Sequence, residues 1–206
     1  MHPNPIFRKT DVQKSLDFAN AVSFGTLCLS TDAAPLISHI PFQLSATGTT
    51  ADLHLVRSNP ITRRLQQGPL TATLVVMGPH GYISPDWYEI ENQVPTWNYV
   101  SVHLIGTLTL LDQDCLPPIL DALSDHFEAQ LAPKPIWKMA KVETESIEKM
   151  FRQIVPCKFD ISDVQSTWKL GQNKPDAARH HAADRLETSV LGAETKQLAK
   201  LMRDAK

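Results

Sequence analysis

The segment from Gly78 to Gly106 concentrates side chains that can hold a flat ring with polar edges. It reads GPHGYISPDWYEIENQVPTWNYVSVHLIG and contains all three tyrosines of the chain together with Trp87 and Trp97. Short polar side chains lie among the aromatic ones: Ser84, Thr96, Asn98 and Ser101. Aromatic faces stack on a planar ring, while hydroxyl and amide groups hydrogen-bond to its rim. This composition predicts a ring-binding pocket rather than an ordinary sheet strand.

A strand is predicted over Thr96–Leu111, and Trp97 and Tyr99 share one of its faces because they are two residues apart. Two aromatic residues on a strand more often pack in a core. The polar neighbours favour a site, since such groups are costly to bury without partners. These neighbours are Thr96, Asn98, Ser101 and His103. Tyr82 and Ser84 are predicted to lie on the adjoining strand and to close the same pocket.

A second candidate site is the run Arg57-Ser58-Asn59-Pro60, which leads from a strand into a predicted helix. A helix N-terminus presents backbone N–H groups and a dipole that favour a phosphate. Arg57 can add a bidentate contact, and Ser58 or Asn59 a further donor. The alternative is an ordinary helix with Asn59 as its N-cap and a surface arginine. Spacing alone favours this alternative.

Four segments resemble the FMN-binding negative transcriptional regulators of the PaiB type. They are HLVRSNP at 54–60, GPHGYISPDWY at 78–88, VPTWNYVSVHLIG at 94–106 and KLGQN at 169–173. The resemblance extends from Phe7 to about Asp176. The chain departs from the family pattern at Gly81, Asp86 and Gly171, where alanine, serine and serine are expected, and in a shorter loop after Tyr88.

The resemblance implies an α+β fold, a split β-barrel similar to pyridoxamine-phosphate oxidases. It implies FMN as the cofactor and a homodimer with flavin in a cleft between the subunits. It also favours the phosphate role of Arg57 and places Lys169, Gln172 and Asn173 near the flavin, with His39 as a further pocket residue. Without the resemblance, Asn173 is a helix cap and His39 a structural strand histidine.

The elements that would position these residues follow from periodicity and turn signals. Helices are predicted at 11–22, 60–67, 116–130, 144–155, 175–188 and 193–204, and strands at 24–30, 36–44, 53–57, 70–77, 96–111, 157–161 and 166–170. Many short strands with inserted helices indicate an α+β barrel-like domain. We expect this domain to cover residues 1–165, with residues 166–206 as a C-terminal strand and helical arm that completes the site or the dimer.

Composition indicates a cytoplasmic protein that binds neither membranes nor nucleic acid strongly. The 206 residues carry a net charge of −2, so no global attraction to polyanions is expected. The three cysteines are widely spaced, which predicts a reducing compartment and no disulfide framework. No apolar run approaches the ~20 residues of a membrane span. The eight histidines show no metal-binding spacing, so no metal site is predicted.

Three functions stay open. The family name implies transcriptional regulation, although no helix-turn-helix is evident. In the tail from Lys169 to Lys206, eight basic residues are interspersed with five acidic ones, so direct DNA binding is expected to be weak or absent. The second function is a flavin-dependent oxidoreductase with His103, Tyr99 or Tyr82 as proton donor. The third, haem binding or degradation, requires an axial ligand from His39, His103, His180 or His181.

Overall fold

The computed structural model describes residues 1–205, and the chain divides into two compact units. Unit 1 consists of Met1–Ser15, Met77–Val102 and Gln165–Lys206. Unit 2 consists of Leu16–Val76 and His103–Val164. Residues 78–102 of the predicted ring-binding segment and the KLGQN segment therefore belong to unit 1, whereas residues 103–106 and the Arg57 segment belong to unit 2.

Helices and strands alternate along the chain. The helices are α1 (Val12–Val22), α2 (Pro60–Leu65), α3 (Leu116–Ala129), α4 (Thr144–Phe151), α5 (Asp176–Leu186) and α6 (Thr195–Asp204). The strands are β1 (Phe24–Leu29), β2 (Leu36–Leu44), β3 (Thr50–Val56), β4 (Leu70–Ile83), β5 (Thr96–Leu110), β6 (Ile154–Lys169) and β7 (Gly192–Ala193). Within residues 1–205, no helix is both long enough and apolar enough to cross a membrane.

The strands form one sheet in the order β1-β2-β3-β6-β5-β4-β7. β1 also pairs with β4, so six strands form a closed ring of neighbours and β7 is added to β4. The pairs β1–β2, β2–β3 and β3–β6 are antiparallel. The α+β class predicted from the sequence is confirmed, and the closed ring agrees with the predicted split barrel.

The core of unit 2 follows from strand alternation. Phe42 pairs with Leu53 in register, Leu53 pairs with Cys157, and all three side chains are buried. Burying one such apolar side chain stabilises the fold by about 1.5–3 kcal/mol. Burial also raises the pKa of the Cys157 thiol to about 12, so this cysteine stays protonated and acts as a core residue.

The core of unit 1 contains a buried arginine, Arg179 of α5, which is 4% exposed. Its Nε donates to the Met202 carbonyl oxygen at 2.8 Å and its Nη2 to the Ala205 carbonyl oxygen at 2.7 Å. Its Nη1 lies 2.9 Å from an Asp176 carboxylate oxygen. A buried guanidinium needs several hydrogen-bond and ion-pair partners, because desolvating an unpaired charge is very costly. Arg179 therefore holds the end of α6 against α5.

Three strands, β3, β4 and β6, are longer than predicted, and one strand was not predicted. β4 continues past Met77 to Ile83, and β6 joins the two segments predicted at 157–161 and 166–170. The joining residues of β6 are mostly exposed and polar, so they lack the apolar signal that marks a strand. β7 depends on Gly192, since a Cβ atom there would lie 2.2 Å from the His80 carbonyl oxygen.

Candidate functional site

Unit 1 presents an exposed aromatic surface formed by Trp97, Tyr82 and His80. Trp97 is 48% exposed, and its ring centroid lies 6.1 Å from that of Tyr82, with the rings nearly perpendicular. The His80 ring centroid lies 6.2 Å from that of Trp97. His80 and Tyr82 alternate along β4 with the buried residues Gly81 and Ile83, so strand geometry turns both rings outward. We call these three residues the aromatic face.

Tyr99 and Ser84 were predicted beside these rings. Tyr99 is two residues from Trp97 on β5 and is half-buried. Ser84 directly follows β4 and precedes a short 3-10 helix, Pro85–Tyr88, without capping it through its side chain. His80 was not among the predicted site residues, although its position two residues before Tyr82 on a strand was a signal that could have identified it.

Asn98 lies on the face of β5 opposite to Trp97 and is 1% exposed. Its Nδ2 lies 3.4 Å from the Met202 sulfur as a hydrogen-bond donor. Its Oδ1 is buried and accepts no hydrogen bond within residues 1–205. An unpaired buried acceptor costs about 1–3 kcal/mol, so this oxygen indicates a donor that the protein itself does not supply. Asn98 therefore does not contribute to the aromatic face, contrary to its expected place beside Trp97.

The KLGQN segment forms a tight turn after β6. The Gln172 side chain closes it, because its Oε1 accepts from the Leu170 backbone N at 2.8 Å and its Nε2 donates to the Trp168 carbonyl oxygen at 2.7 Å. The Lys174 backbone N donates to the Gly171 carbonyl oxygen at 2.9 Å. The amide of Gln172, predicted to contact a cofactor, is thus occupied by the turn, and Gln172 positions its neighbours.

Asn173, the other polar residue of this turn, is exposed. The alternative role that the sequence suggested for it, capping the next helix, is wrong. α5 begins at Asp176 with Pro175 at the N-cap position and has no side-chain cap. An Asn173 cap would require a helix that begins at Lys174. Pro175 fixes the backbone before the helix, and α5 begins only at Asp176.

Lys169 and Lys174 project from the two ends of this turn. The Lys169 amine donates to the Thr96 hydroxyl at the start of β5, and the Lys174 amine donates to the Gln93 side-chain oxygen. Burial, followed by the charge of Lys174, lowers the pKa of Lys169. The structure therefore brings Thr96 and Lys169, both predicted site residues, into direct contact. Lys174 was missed, although a second lysine five residues after Lys169 was visible in the sequence.

In unit 2, Arg57 makes structural contacts at the end of β3. Its Nε donates to the Arg152 carbonyl oxygen at 2.8 Å, and its Nη2 donates to the Gln113 Oε1 at 2.8 Å and the Ile154 carbonyl oxygen at 3.2 Å. These bonds join the strand to the start of β6. A phosphate at this position would have to share a guanidinium that already has three oxygen acceptors.

Asn59 is the N-cap of α2, as the sequence predicts. Its Oδ1 accepts from the Ile61 backbone N at 2.9 Å, and its Nδ2 donates to the Ser38 hydroxyl at 3.1 Å. Ser58 is exposed beside it. Because α2 spans only six residues, its dipole is short, and Asn59 already satisfies one of its first N–H groups.

The two predicted histidines also lie in unit 2. His39 is exposed on the outward face of β2, with its Nδ1 3.0 Å from the Thr26 hydroxyl. His103 on β5 is half-buried, and burial lowers its pKa, which favours the neutral ring at pH 7. Within residues 1–205, no group of three His, Cys, Asp or Glu side chains is arranged to hold a metal ion.

Comparison with known proteins identifies relatives of the whole chain. A family model described as "Putative FMN-binding domain" matches residues 1–163. The chain is 28% identical over 200 residues to the protein named "Protease synthase and sporulation protein PAI 2" of Bacillus subtilis (strain 168), covering 96% of this chain and 94% of that protein. The KLGQN turn lies beyond the residues that the family model matches.

Two solved structures share the fold. The FAD and haem binding protein from Mycobacterium smegmatis superposes with a TM-score of 0.55 at 18% identity, covering 80% of this chain and 74% of that one. The flavocytochrome Anf3 from Azotobacter vinelandii superposes with a TM-score of 0.56 at 14% identity, covering 83% of this chain and 73% of that one.

The contacts of Arg57 predict a structural contribution in the absence of any ligand. We expect Arg57→Met to lower the free energy of unfolding of the ligand-free protein by about 1 kcal/mol, because three oxygens lose a charged donor at an exposed position. Arg63→Met is the control, since Arg63 is exposed on α2. Urea unfolding followed by circular dichroism measures both. Equal unfolding midpoints for the two variants would contradict this role.

Proposed function

The chain belongs to this FMN-binding family, and we propose that unit 1 holds the isoalloxazine ring of FMN on the aromatic face. The observation that carries the proposal is the exposure of Trp97. A large indole on a strand is normally buried, yet this one is about half exposed beside two further rings. A planar cofactor stacked there would cover that apolar surface.

Other features of unit 1 fit the same cofactor. FMN has a ring with polar edges and a phosphate that is close to a dianion. Lys169 and Lys174 form no ion pair within residues 1–205, so positive charge is available for an anionic group. FMN supplies redox chemistry when bound, while these residues bind and orient it.

Cofactor contacts by residues of unit 2 are proposed separately. Arg57, Ser58 and Asn59 stay candidates for the phosphate, and His39 and His103 for contacts with the flavin. The existing hydrogen bonds of Arg57 and Asn59 make them weaker phosphate ligands than their spacing suggests. A neutral His103 could accept a hydrogen bond from the cofactor or hold a proton for transfer.

Removing the Trp97 ring tests the ring site. We expect Trp97→Ala to raise the Kd for FMN about 5- to 30-fold, the equivalent of about 1–2 kcal/mol of lost stacking and apolar contact. The fold should tolerate the change, because the side chain is largely exposed. Quenching of flavin fluorescence on titrating apo-protein gives the Kd, and Trp97→Phe should retain most of the affinity.

Trp137 in unit 2 provides a matched control for truncating a tryptophan. Its backbone N donates to a Glu128 carboxylate oxygen at 2.9 Å. Trp137 belongs to unit 2, whereas the aromatic face belongs to unit 1. Trp137→Ala should leave the Kd for FMN within twofold of the original value. A folded Trp97→Ala protein that binds FMN as tightly as the original would refute the ring site.

We also propose a homodimer, supported by an exposed apolar surface on unit 2. Phe24 on β1 is 52% exposed and Ile37 on β2 is 55% exposed. The register pairs Phe24 with Pro41 and Cys28 with Ile37, so all four side chains lie on the same outward face of the two strands. A second copy could cover this face, as is common for symmetric oligomers.

A charge placed on this face should weaken the dimer. We expect Ile37→Lys to raise the dimer dissociation constant tenfold or more, by roughly the desolvation cost of an ammonium at an apolar interface. Val12→Lys, at a similarly exposed position on α1, should have little effect. Sedimentation velocity across micromolar concentrations distinguishes these outcomes. A stable monomer of the unmodified protein would count against the dimer.

Direct DNA binding by this chain should be weak. Three basic residues of the C-terminal tail are already paired with acidic ones: Arg179 with Asp176, Lys200 with Asp204, and Arg203 with both Asp184 and Glu187. Such charges are poorly available for phosphates of a duplex. A regulatory effect would then be indirect, through the flavin or a metabolite.

A titration of promoter and scrambled DNA at physiological salt measures this binding. We expect micromolar or weaker affinity without sequence preference, and a shallow dependence on salt because few phosphates are contacted. Nanomolar binding to one sequence, lost on deletion of residues 174–206, would show that the tail reads DNA.

A further inference from the structure

Lys169 and Lys174 are neighbouring positive charges in unit 1, near enough for the charge of Lys174 to lower the pKa of Lys169. Neither lysine takes part in an ion pair within residues 1–205. Each amine donates instead to one neutral side-chain oxygen, on Thr96 for the first and Gln93 for the second. An ammonium group has three donors, so both lysines retain hydrogen-bonding capacity for a further acceptor.

Aromatic rings lie beside both charges, and such cation–π contacts stabilise an ammonium group only modestly. The Lys169 amine lies 6.0 Å from the centroid of the buried Phe7 ring, and the Lys174 amine lies 5.3 Å from the centroid of the buried Tyr88 ring. Burial and the charge of Lys174 lower the pKa of Lys169, so its ammonium is less stable than in water. A bound anion would reverse this effect.

Arg8 supplies further positive charge near Lys169, because both charges act on the same residue, His2. Burial, and after it the charges of Lys169 and Arg8, lower the pKa of His2. Two acidic residues of unit 1 are already paired, Glu89 with His181 at 3.1 Å and Asp176 with Arg179 at 2.9 Å. The local field around Lys169 is therefore positive, although the whole chain carries a net charge of −2.

The turn at 169–174 holds the two lysines in place before any ligand arrives. Gln172 bonds to the backbone of Trp168 and Leu170 at the start of the turn, and the Lys174 backbone N donates to the Gly171 carbonyl oxygen near its end. Gly171 takes a left-handed conformation with φ +82°. Because the backbone is fixed, an incoming anion need only order the two side chains, which lowers the entropic cost of binding. The neutral partners Thr96 and Gln93 further restrict the amines.

We propose that Lys169 and Lys174 form the binding site for a phosphate monoester. Two ammonium groups match the nearly double negative charge of this group, and each can donate at least one charge-assisted hydrogen bond to it. The phosphate comes either from FMN or from a separate phosphorylated ligand. The first source rests on the function proposed above, and it makes the lysine pair, rather than Arg57, the main phosphate ligand of the flavin.

The experiment compares FMN with riboflavin, which has the same ring and no phosphate. Kd values for both are measured by fluorescence quenching with the full-length protein, Lys169→Met, Lys174→Met and the double variant. Lys196→Met is the control, because Lys196 is exposed on α6 of the same unit. Arg57→Met is measured in parallel, and Lys169→Arg tests rescue by a retained charge. Inorganic phosphate alone is tested by its effect on the melting temperature of each ligand-free protein.

The proposal expects the double variant to bind FMN about 10- to 100-fold more weakly, with riboflavin affinity changed less than twofold. Lys196→Met should resemble the unmodified protein, and Lys169→Arg should retain most of the preference for FMN. In the unmodified protein, this preference should also fall with rising pH, beginning below the ordinary lysine pKa of 10.5. Ring ionisation affects both flavins equally and cancels in the ratio.

A separate phosphorylated ligand gives a different result that also supports the site. The FMN-to-riboflavin ratio would then survive in the double variant, while inorganic phosphate would stabilise the unmodified protein and not the double variant. This arm is informative even if the protein binds no flavin, which distinguishes failure of the site from failure of the proposed function. The proposal is overturned if the double variant changes neither measurement, whereas loss of the FMN preference in Arg57→Met alone would overturn FMN as the source of the phosphate.

Discussion

The structure of unit 1 depends on satisfying one buried charge, the guanidinium of Arg179. It is 4% exposed, so every one of its lost contacts with water must be replaced within the protein. The carbonyl oxygens of Met202 and Ala205 and the carboxylate of Asp176 do so. Because those carbonyls lie at the end of α6, the requirement fixes that helix beside α5. Removing one member of such a buried group of partners leaves another polar group unpaired, which is far more costly than never having buried it.

This constraint extends to the proposed binding residues. A Cβ atom on Gly171 would lie 3.5 Å from Arg179 and 3.7 Å from the amide nitrogen of Asn98. The turn that carries the lysines is thus packed between the buried arginine and the strand that carries Trp97. Met202, whose carbonyl binds Arg179, also accepts from Asn98 through its sulfur. The side chains proposed to bind the ligand are therefore held next to packing contacts that stabilise unit 1.

The sequence predicted those features that depend on local patterns. Alternation along β5 placed Trp97 and Tyr99 on one face, and Asn59 before proline indicated the N-cap of α2. Arg179 was not predicted as a core residue, because two of its three partners are backbone carbonyl oxygens more than 20 residues away, which have no side-chain signature. The structural bonds of Arg57 were missed for the same reason. The lack of an ion pair at Lys174 within residues 1–205 likewise depends on tertiary packing, which charge counting along the chain does not reveal.

The most direct test of the account is a crystal structure of the protein with FMN bound. We expect the flavin ring to lie against the indole of Trp97, with ring atoms at a van der Waals separation of about 3.5–4 Å. We also expect phosphate oxygens within about 3 Å of the amines of Lys169 and Lys174. A phosphate held instead by Arg57 and the N-terminus of α2, with both lysines turned to solvent, would contradict the account.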